Sequence, residues 1–311
     1  MSLPVICLMG PTCSGKTQLA IELVQRLPCS IISVDSAMVY RGMDIGTAKP
    51  TKQQLELAPH RLIDICDPAE PFSAGQFCKA ASQEIQTIIA AGRIPLLVGG
   101  TLWYFRALQQ GLSPLPQANP MVRQILLAAA QQYGWQALHE RLTEVDPNAG
   151  AQIHPNDPQR IQRALEVYLL TGKSRSELWA ETTTMGLPEQ VINIVLAPND
   201  RSVLHEHIQQ RWHSMIQQGF VSEVAHLLQR GDLHRDLPAL RAVGYRQVWD
   251  YLAGQLKYDE MEERALIATR QLAKRQFTWL RSWQNVTWYN SPHPHVLEQV
   301  LQHLSRLQEK K

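Results

Sequence analysis

Residues 10–17 read GPTCSGKT, the spacing G-x-x-x-x-G-K-[ST]. A strand-like run, PVICLM, precedes this octet and a helical pattern follows it, which is the context a phosphate loop needs. Gly10, Pro11, Thr12, Cys13, Ser14, Gly15, Lys16 and Thr17 are therefore the candidate phosphate-binding residues. Backbone N–H groups from Cys13 to Thr17 would face a diphosphate, and the helix N-terminus would add positive potential. Lys16 supplies a point charge and Thr17 a hydroxyl for Mg²⁺. Further on, Asp35 ends the run SIISVD and opens the long stretch DSAMVYRGMDIGTAKP. A carboxylate at the C-terminal end of a strand in an open α/β sheet lies where ligands bind. It could take a proton from an attacking group, or it could be a plain turn or helix-capping residue; position alone leaves both open. The second, Mg²⁺-holding aspartate of nucleotide hydrolases is not apparent. The strand IPLLVGGT ends in glycines and a threonine, and Asp64 and Asp67 match poorly. No arginine-rich lid is evident, IHPNDPQRIQR being the nearest stretch. The loop thus either hands on a phosphate from ATP or holds a phosphorylated molecule for other chemistry.

The elements that must position these residues alternate. Leu19, Ala20, Leu23, Val24 and Leu27 recur at helical spacing. SIISVD and RLIDI read as strands, and FSAGQFCKAASQEIQTIIAAG as a helix with Ser73 as N-cap and Gly92 past its end. RIPLLVGGT is a buried strand, and LWYFRALQQG begins the next helix. Continuous apolar strands alternating with helices predict an α/β fold, a P-loop parallel-sheet core. After the Pro-rich GLSPLPQANP, only helical periodicity remains: MVRQILLAAAQQY, WQALHERLTEV and QRIQRALEVYLLTG. VINIVLA then returns as a buried strand that must rejoin the first sheet. The predicted organisation is a first core part at 1–117, a helical insertion domain at 118–188 and a core completion with C-terminal helices at 189–311. Helices resume from Asp200 to about Trp283, NVTWYN is a late strand, and the tail SRLQEKK is expected to fray.

The bulk composition narrows the class. At 311 residues with a net charge near +2, the chain has an ordinary hydrophobic fraction for a soluble protein and no global basic excess, so any nucleic-acid contact must come from local patches. Five cysteines with no C-x-x-C spacing suit a reduced, cytoplasmic protein. No apolar run approaches a membrane span and no secretory signal is present, so no membrane partner is expected.

GPTCSGKT, DSAMVYRGMDIGTAKP, HRLID, FSAGQF, VGGT, IHPNDPQRIQRALEV, AVGYRQ and TRQLAKRQFTWLR occur in order, and together they resemble the tRNA dimethylallyltransferases, also called tRNA delta(2)-isopentenylpyrophosphate transferases. The P-loop alone is unspecific; MDIGTAKP and QLAKRQFTWLR in one chain are what make the match. Cys13, Met38 and the LW of GGTLWY lie where such a family is expected to vary. The resemblance implies transfer of a dimethylallyl group from dimethylallyl diphosphate to N6 of the adenosine just 3′ of a tRNA anticodon, position 37. It implies that the P-loop holds a diphosphate leaving group, with Mg²⁺, so a missing second aspartate is no defect. It implies Asp35 as the base for the N6 amine, Thr101 and Arg123 as further catalytic residues and Arg211 as a diphosphate contact. Asp35, Ser36, Ala37 and Met38 would meet tRNA.

An RNA loop base must leave its stack to reach a buried diphosphate, and three stretches suit that task. Gln159, Arg160, Ile161, Gln162 and Arg163 form one, its two arginines three apart on a helix face; without the resemblance this reads as a solvated charged face. Arg241, Tyr245 and Arg246 combine charge with an aromatic ring. The third carries Arg270, Lys274, Arg275 and Arg281, with Trp279 and Trp283 interleaved, either for stacking on bases or for core packing. His60 is expected to be structural. The expected partners are the tRNA anticodon stem-loop and dimethylallyl diphosphate, with the protein a monomer. Two other classes compete. A P-loop kinase would turn over ATP without RNA, and an RNA-binding nucleotide switch would bind a nucleotide without modifying RNA.

Overall fold

All five residues of β1 (Val5–Met9) are buried. Val5, Cys7 and Met9 enter one apolar layer, Ile6 and Leu8 another. Such a strand needs helices on both faces of its sheet. The computed structural model describes residues 3–113, 115–181 and 186–309 and supplies them. The chain runs on through α1 (Lys16–Arg26), β2 (Cys29–Val34), α2 (Lys52–Leu57), β3 (His60–Arg61), α3 (Ala74–Ala90), β4 (Ile94–Gly99) and α4 (Leu102–Gln110). Four helices follow: α5 (Pro120–Val145), α6 (Pro147–Gln152), α7 (Pro158–Thr171) and α8 (Arg175–Glu181). The chain then forms β5 (Val191–Ala197), α9 (Arg201–Gln217), α10 (Phe220–Gln229), α11 (Tyr245–Leu252), α12 (Tyr258–Arg281), β6 (Val286–Asn290) and α13 (Val296–Glu309).

The six strands form one parallel sheet in the order β3-β2-β4-β1-β5-β6. Helices α3 and α4 cover one face and α1 and α13 the other. The strand VINIVLA does rejoin the sheet, pairing with β1 from Val5↔Val191 to Met9↔Val195. This is the α/β parallel-sheet core expected from the alternation.

Two expectations change. RLIDI is not a full strand: only His60 and Arg61 pair, because Leu62 (φ 62°) and Asp64 (φ 56°) turn left-handed and break the extended run. The tail does not fray along its length. Residues 296–309 are helical, with Val300 and Leu304 buried against α1's layer. Lys310 and Lys311 lie outside the described residues.

The chain divides into two compact units, Met1–Gln109 with Leu187–Lys311, and Gln110–Gly186. The second unit is helical and packs around Leu126, Leu138, Leu142, Ile161 and Leu165. Its long helix α5 breaks at Gly134 (φ 83°, ψ 159°), the residue that separates the two apolar patterns in the sequence. Glu166 is its one fully covered acid (0 % exposed) among the described residues. Its carboxylate accepts from the Asn119 N–H (2.7 Å), from Arg123 Nε (3.0 Å) and from Arg163 Nη1 (2.7 Å). Burial pushes the Glu166 pKa up, but the two guanidiniums and the Asn119 N–H outweigh it and hold the carboxyl below its ordinary range.

That network has a testable stability. Glu166→Ala removes the shared acceptor but leaves both arginines part-solvated. The second unit should lose about 1.5–3 kcal/mol, the value of a hydrogen bond to a charged group. A depressed carboxyl contributes stability that is complete above its ordinary value of 4.5 and fades as pH falls through the folded-state value. Limited proteolysis within residues 110–186 should therefore speed up in the variant at neutral pH, and the wild type should converge on it below pH 4.5.

Candidate active site

Strands β1 and β4 are neighbours, yet the helices that follow them, α1 and α4, pack on opposite faces of the sheet. That reversal opens a crevice at the C-terminal ends of the two strands. The residues after Met9 fill one side of it. Cys13 (φ 63°) and Gly15 (φ 82°) are left-handed, the backbone geometry of an anion nest, and the Gly15 position is one glycine adopts without strain. Lys16 Nζ donates to the Pro11 carbonyl (2.6 Å) and to Ser14 Oγ (3.3 Å). Burial pushes the Lys16 ammonium down to about 8; Cys13 and Asp35 oppose this and Arg211 adds to it.

Asp35 closes β2. Its Oδ1 accepts the backbone N–H groups of Ala37 (2.8 Å) and Met38 (3.2 Å). The turn residue and the candidate base are thus the same side chain: one oxygen holds the turn, and among the described residues no hydrogen bond engages Oδ2. Thr101, at the end of β4, accepts the Ser36 N–H on Oγ1 (3.0 Å) and so ties the 35–38 turn to the neighbouring strand.

The long stretch after Asp35 has no regular structure, as its sequence suggests, but it is tightly held. The Glu223 carboxylate accepts the N–H groups of Asp44 (2.9 Å), Ile45 (2.7 Å) and Gly46 (3.2 Å) and the Tyr245 hydroxyl (2.5 Å). Lys49 Nζ reaches the Tyr40 carbonyl and both Asp44 and Asp64. Asp64 thus anchors this loop. Arg211 on α9 spans from this loop to the P-loop: Nη2 donates to the Thr47 carbonyl (3.2 Å), and Nη1 lies 4.0 Å from Cys13 Sγ.

Sequence reasoning missed Gln276. It is 8 % exposed on α12. Its Oε1 accepts the Thr12 N–H of the P-loop (2.9 Å) and its Nε2 donates to the Gly100 carbonyl after β4 (2.9 Å). Any Cβ at Gly100 would stand 2.5 Å from Nε2, so that position admits only glycine while this contact holds. Sequence offers one weak signal, a glutamine inside a basic run where charge alone would serve.

One cleft, of about 680 Å³, gathers Thr12 to Thr17, Asp35 to Met38, Thr101, Arg211, Arg241, Tyr245, Arg275 and Trp279. The remaining sequence-predicted residues fall elsewhere. Gly10 and Pro11 are buried at the root of the P-loop. Arg246, Lys274 and Arg281 are exposed on α11 and α12 and do not line the cleft. Tyr245 is fully buried, with its hydroxyl on Glu223 and its ring edge-on to Phe220. Expected as an RNA contact, it supports the cleft wall from within. Ile161 is likewise a core residue of the second unit. In that unit Arg123 pairs with Glu166, and Arg163 serves both Glu166 and the Pro116 carbonyl. Gln162 donates to the Arg123 carbonyl, whereas Gln159 and Arg160 are exposed. Trp279 and Trp283 pack partly on the core, and Trp279 alone of the two also faces the cleft. His60 Nδ1 sits 2.7 Å from the Ala58 carbonyl, and burial pushes its pKa down. Among the described residues no group of three or more His, Cys, Asp and Glu side chains gathers to hold a metal. Thr17, the Mg²⁺ candidate, lies in the cleft beside Lys16.

Comparison with known proteins bears on this geometry. Residues 38–283 match the family model of IPP transferases. The full-length tRNA isopentenylpyrophosphate transferase of Bacillus halodurans is 36 % identical, over 99 % of this chain and 97 % of that one, with a TM-score of 0.73. The tRNA delta(2)-isopentenylpyrophosphate transferase of Staphylococcus epidermidis is 32 % identical over 97 % of this chain and 99 % of that one, with a TM-score of 0.69. A eukaryotic dimethylallyltransferase acting on tRNA is 25 % identical over 98 % of this chain and 79 % of that one, with a TM-score of 0.82. With the family model covering most of its length and relatives matched nearly end to end, the chain belongs to the IPP transferase family.

Proposed function

We propose that the protein transfers a dimethylallyl group from dimethylallyl diphosphate to N6 of adenosine 37, beside the tRNA anticodon, giving N6-isopentenyladenosine and diphosphate. The observation that carries this is the half-engaged carboxylate of Asp35 in the same cleft as a P-loop. The adenine enters the cleft out of its stack, and its N6–H donates to Asp35 Oδ2. The N6–C1 bond forms, the C1–O bond breaks, and diphosphate leaves with the electron pair. Asp35 takes the proton that N6 gives up. Lys16, Arg211 and the backbone nest hold the leaving group, and Thr101 keeps the 35–38 turn in register. Thr17 is the residue whose hydroxyl would hold Mg²⁺, an ion that keeps water and phosphate ligands readily, and the ion would neutralise charge on the leaving group. Arg123, Gln159, Arg160 and Arg163 belong to a unit whose proposed role is to grip the anticodon arm. No described helix is long and apolar enough to cross a membrane, and a monomer working in the cytoplasm suits the reading.

The test is to incubate the protein with dimethylallyl diphosphate, Mg²⁺ and unmodified tRNA and to weigh the nucleosides. One adenosine should gain a single C5H8. ATP turnover with unmodified RNA would overturn the reading.

Gln276 then acts as a clamp on the diphosphate site. Gln276→Leu keeps the volume and loses both hydrogen bonds, each worth about 1 kcal/mol. The KM for dimethylallyl diphosphate should rise roughly 5- to 30-fold, while the dissociation constant of an anticodon stem-loop stays put. A donor KM within twofold of wild type would show that the P-loop holds its place without the clamp.

A further inference from the structure

Trp103 is an unusual residue to leave at the surface. It stands on the second position of α4, lines the cleft and is 46 % exposed. Its indole meets that of Trp279 on α12 edge-on, with centroids 6.2 Å apart and planes at 73°. Beside this contact, nearly half of Trp103 stays open to solvent. The Arg106 guanidinium, one turn along α4, lies 5.7 Å from the Trp279 ring centroid. Arg275 lines the same cleft. Neither α4 nor the part of α12 from Arg264 to Arg281 carries an acidic residue.

We propose that Trp103 is a stacking platform for a second nucleobase of the RNA loop, one flanking the adenine that enters the cleft. The inference rests on the reading of this cleft as a tRNA prenylation site. Three physical points carry it. Flipping one base out of a loop leaves its neighbours without a stacking partner, and an exposed aromatic ring beside the entry replaces what they lose. The two helix segments that carry the platform are cationic and free of carboxylates, which suits a polyanion and does nothing for an uncharged isoprenoid chain. The Trp103 ring is braced by Trp279, itself held by Arg106, so the platform is ordered before RNA arrives. Interleaved cations and open π-faces are the usual composition of single-strand binding surfaces.

The test uses the intact protein, a synthetic anticodon stem-loop and a set of stem-loops each carrying one abasic nucleotide in the loop. Trp103→Ala should weaken stem-loop binding by about 10-fold, within the range of base–aromatic stacking, with the KM for dimethylallyl diphosphate unchanged. Trp103→Phe should recover much of the loss. One abasic position next to the target should weaken wild-type binding and add nothing in Trp103→Ala. Loss confined to the donor KM would place the prenyl chain on Trp103 and overturn the proposal. Equal sensitivity of wild type and variant to every abasic position would overturn it too. The wild-type reaction on the intact stem-loop tests the underlying reading separately: its failure, with stem-loop binding still dependent on Trp103, would sink the chemistry and leave the platform standing.

Discussion

Asp35→Asn should lower the rate of prenyl transfer by about 10²- to 10⁴-fold, the range of general-base assistance, while both substrates still bind. The structure makes this substitution unusually clean. Asparagine retains an Oδ1 that can accept the Ala37 and Met38 N–H groups, so the turn survives. What changes is the other end of the side chain. A carboxylate oxygen becomes an NH₂ donor facing the donors of the adenine amine, and both the basicity and the orienting hydrogen bond are lost. An exocyclic adenine amine is a poor nucleophile, its lone pair being delocalised into the ring, so it depends on both. Asp35→Ala should be slower still, because it also releases the turn that Thr101 ties to β4. Single-turnover rates at saturating substrates, alongside dissociation constants for stem-loop and donor, are the measurement. A near-wild-type rate in Asp35→Asn, with chemistry rate-limiting, would reduce Asp35 to its turn-holding role.

Lys16→Ala should weaken binding of dimethylallyl diphosphate on the order of 10²-fold, with stem-loop affinity within a factor of two. A hydrogen bond to a charged group is worth about 1.5–3 kcal/mol, and each 1.4 kcal/mol is a factor of ten. Titration gives a second signature. Burial brings the free protein's ammonium down to about 8, so below that pH it is charged and ready for an anion. Above it the amine is neutral, and binding must first restore a proton. The wild-type donor dissociation constant should be flat below pH 8 and should rise by up to tenfold per unit above it, until the bound-state pKa is passed. Lys16→Ala should show no such rise. A parallel rise in both proteins would assign the titration to another group.

What the sequence reveals here divides by the range of the interactions. The P-loop, the buried strands and the Gly134 break are legible because strand alternation, helical periodicity and a glycine-rich turn are local patterns. The 35–38 turn is half legible: Asp35 can be picked out, but both roles stay open until Oδ1 is seen on two N–H groups. Glu223 escapes notice entirely. It lies on an ordinary amphipathic helix, and its partners, Asp44 to Gly46, are far away in the chain. Gln276 is hidden for the same reason, with both partners in the first third of the chain. Tyr245 and Arg163 show the converse: the sequence offers their types but hides their partners. Their types suit RNA, but an acid holds each of them: the part-buried Glu223 takes the tyrosine hydroxyl and the buried Glu166 the guanidinium. The α13 helix is missed because its apolar positions read as a worn tail until the exposed flank of α1 is there to receive them.

The pairing of β1 with β5 sets an order of events during synthesis. Val5 finds Val191 only after the whole helical unit, Gln110–Gly186, has been made. Until then one edge of β1, the most apolar strand of the sheet, has no backbone partner, and such an edge invites pairing with other chains. The helical unit has its own apolar core, drawn wholly from residues 110–186, and so can close before β5 is made. On the ribosome it should gain protease resistance while residues 1–109 remain accessible. The first segment is thus expected to wait, open-edged, for the fifth strand, and ribosome-bound chains ending before residue 191 are those most in need of a chaperone.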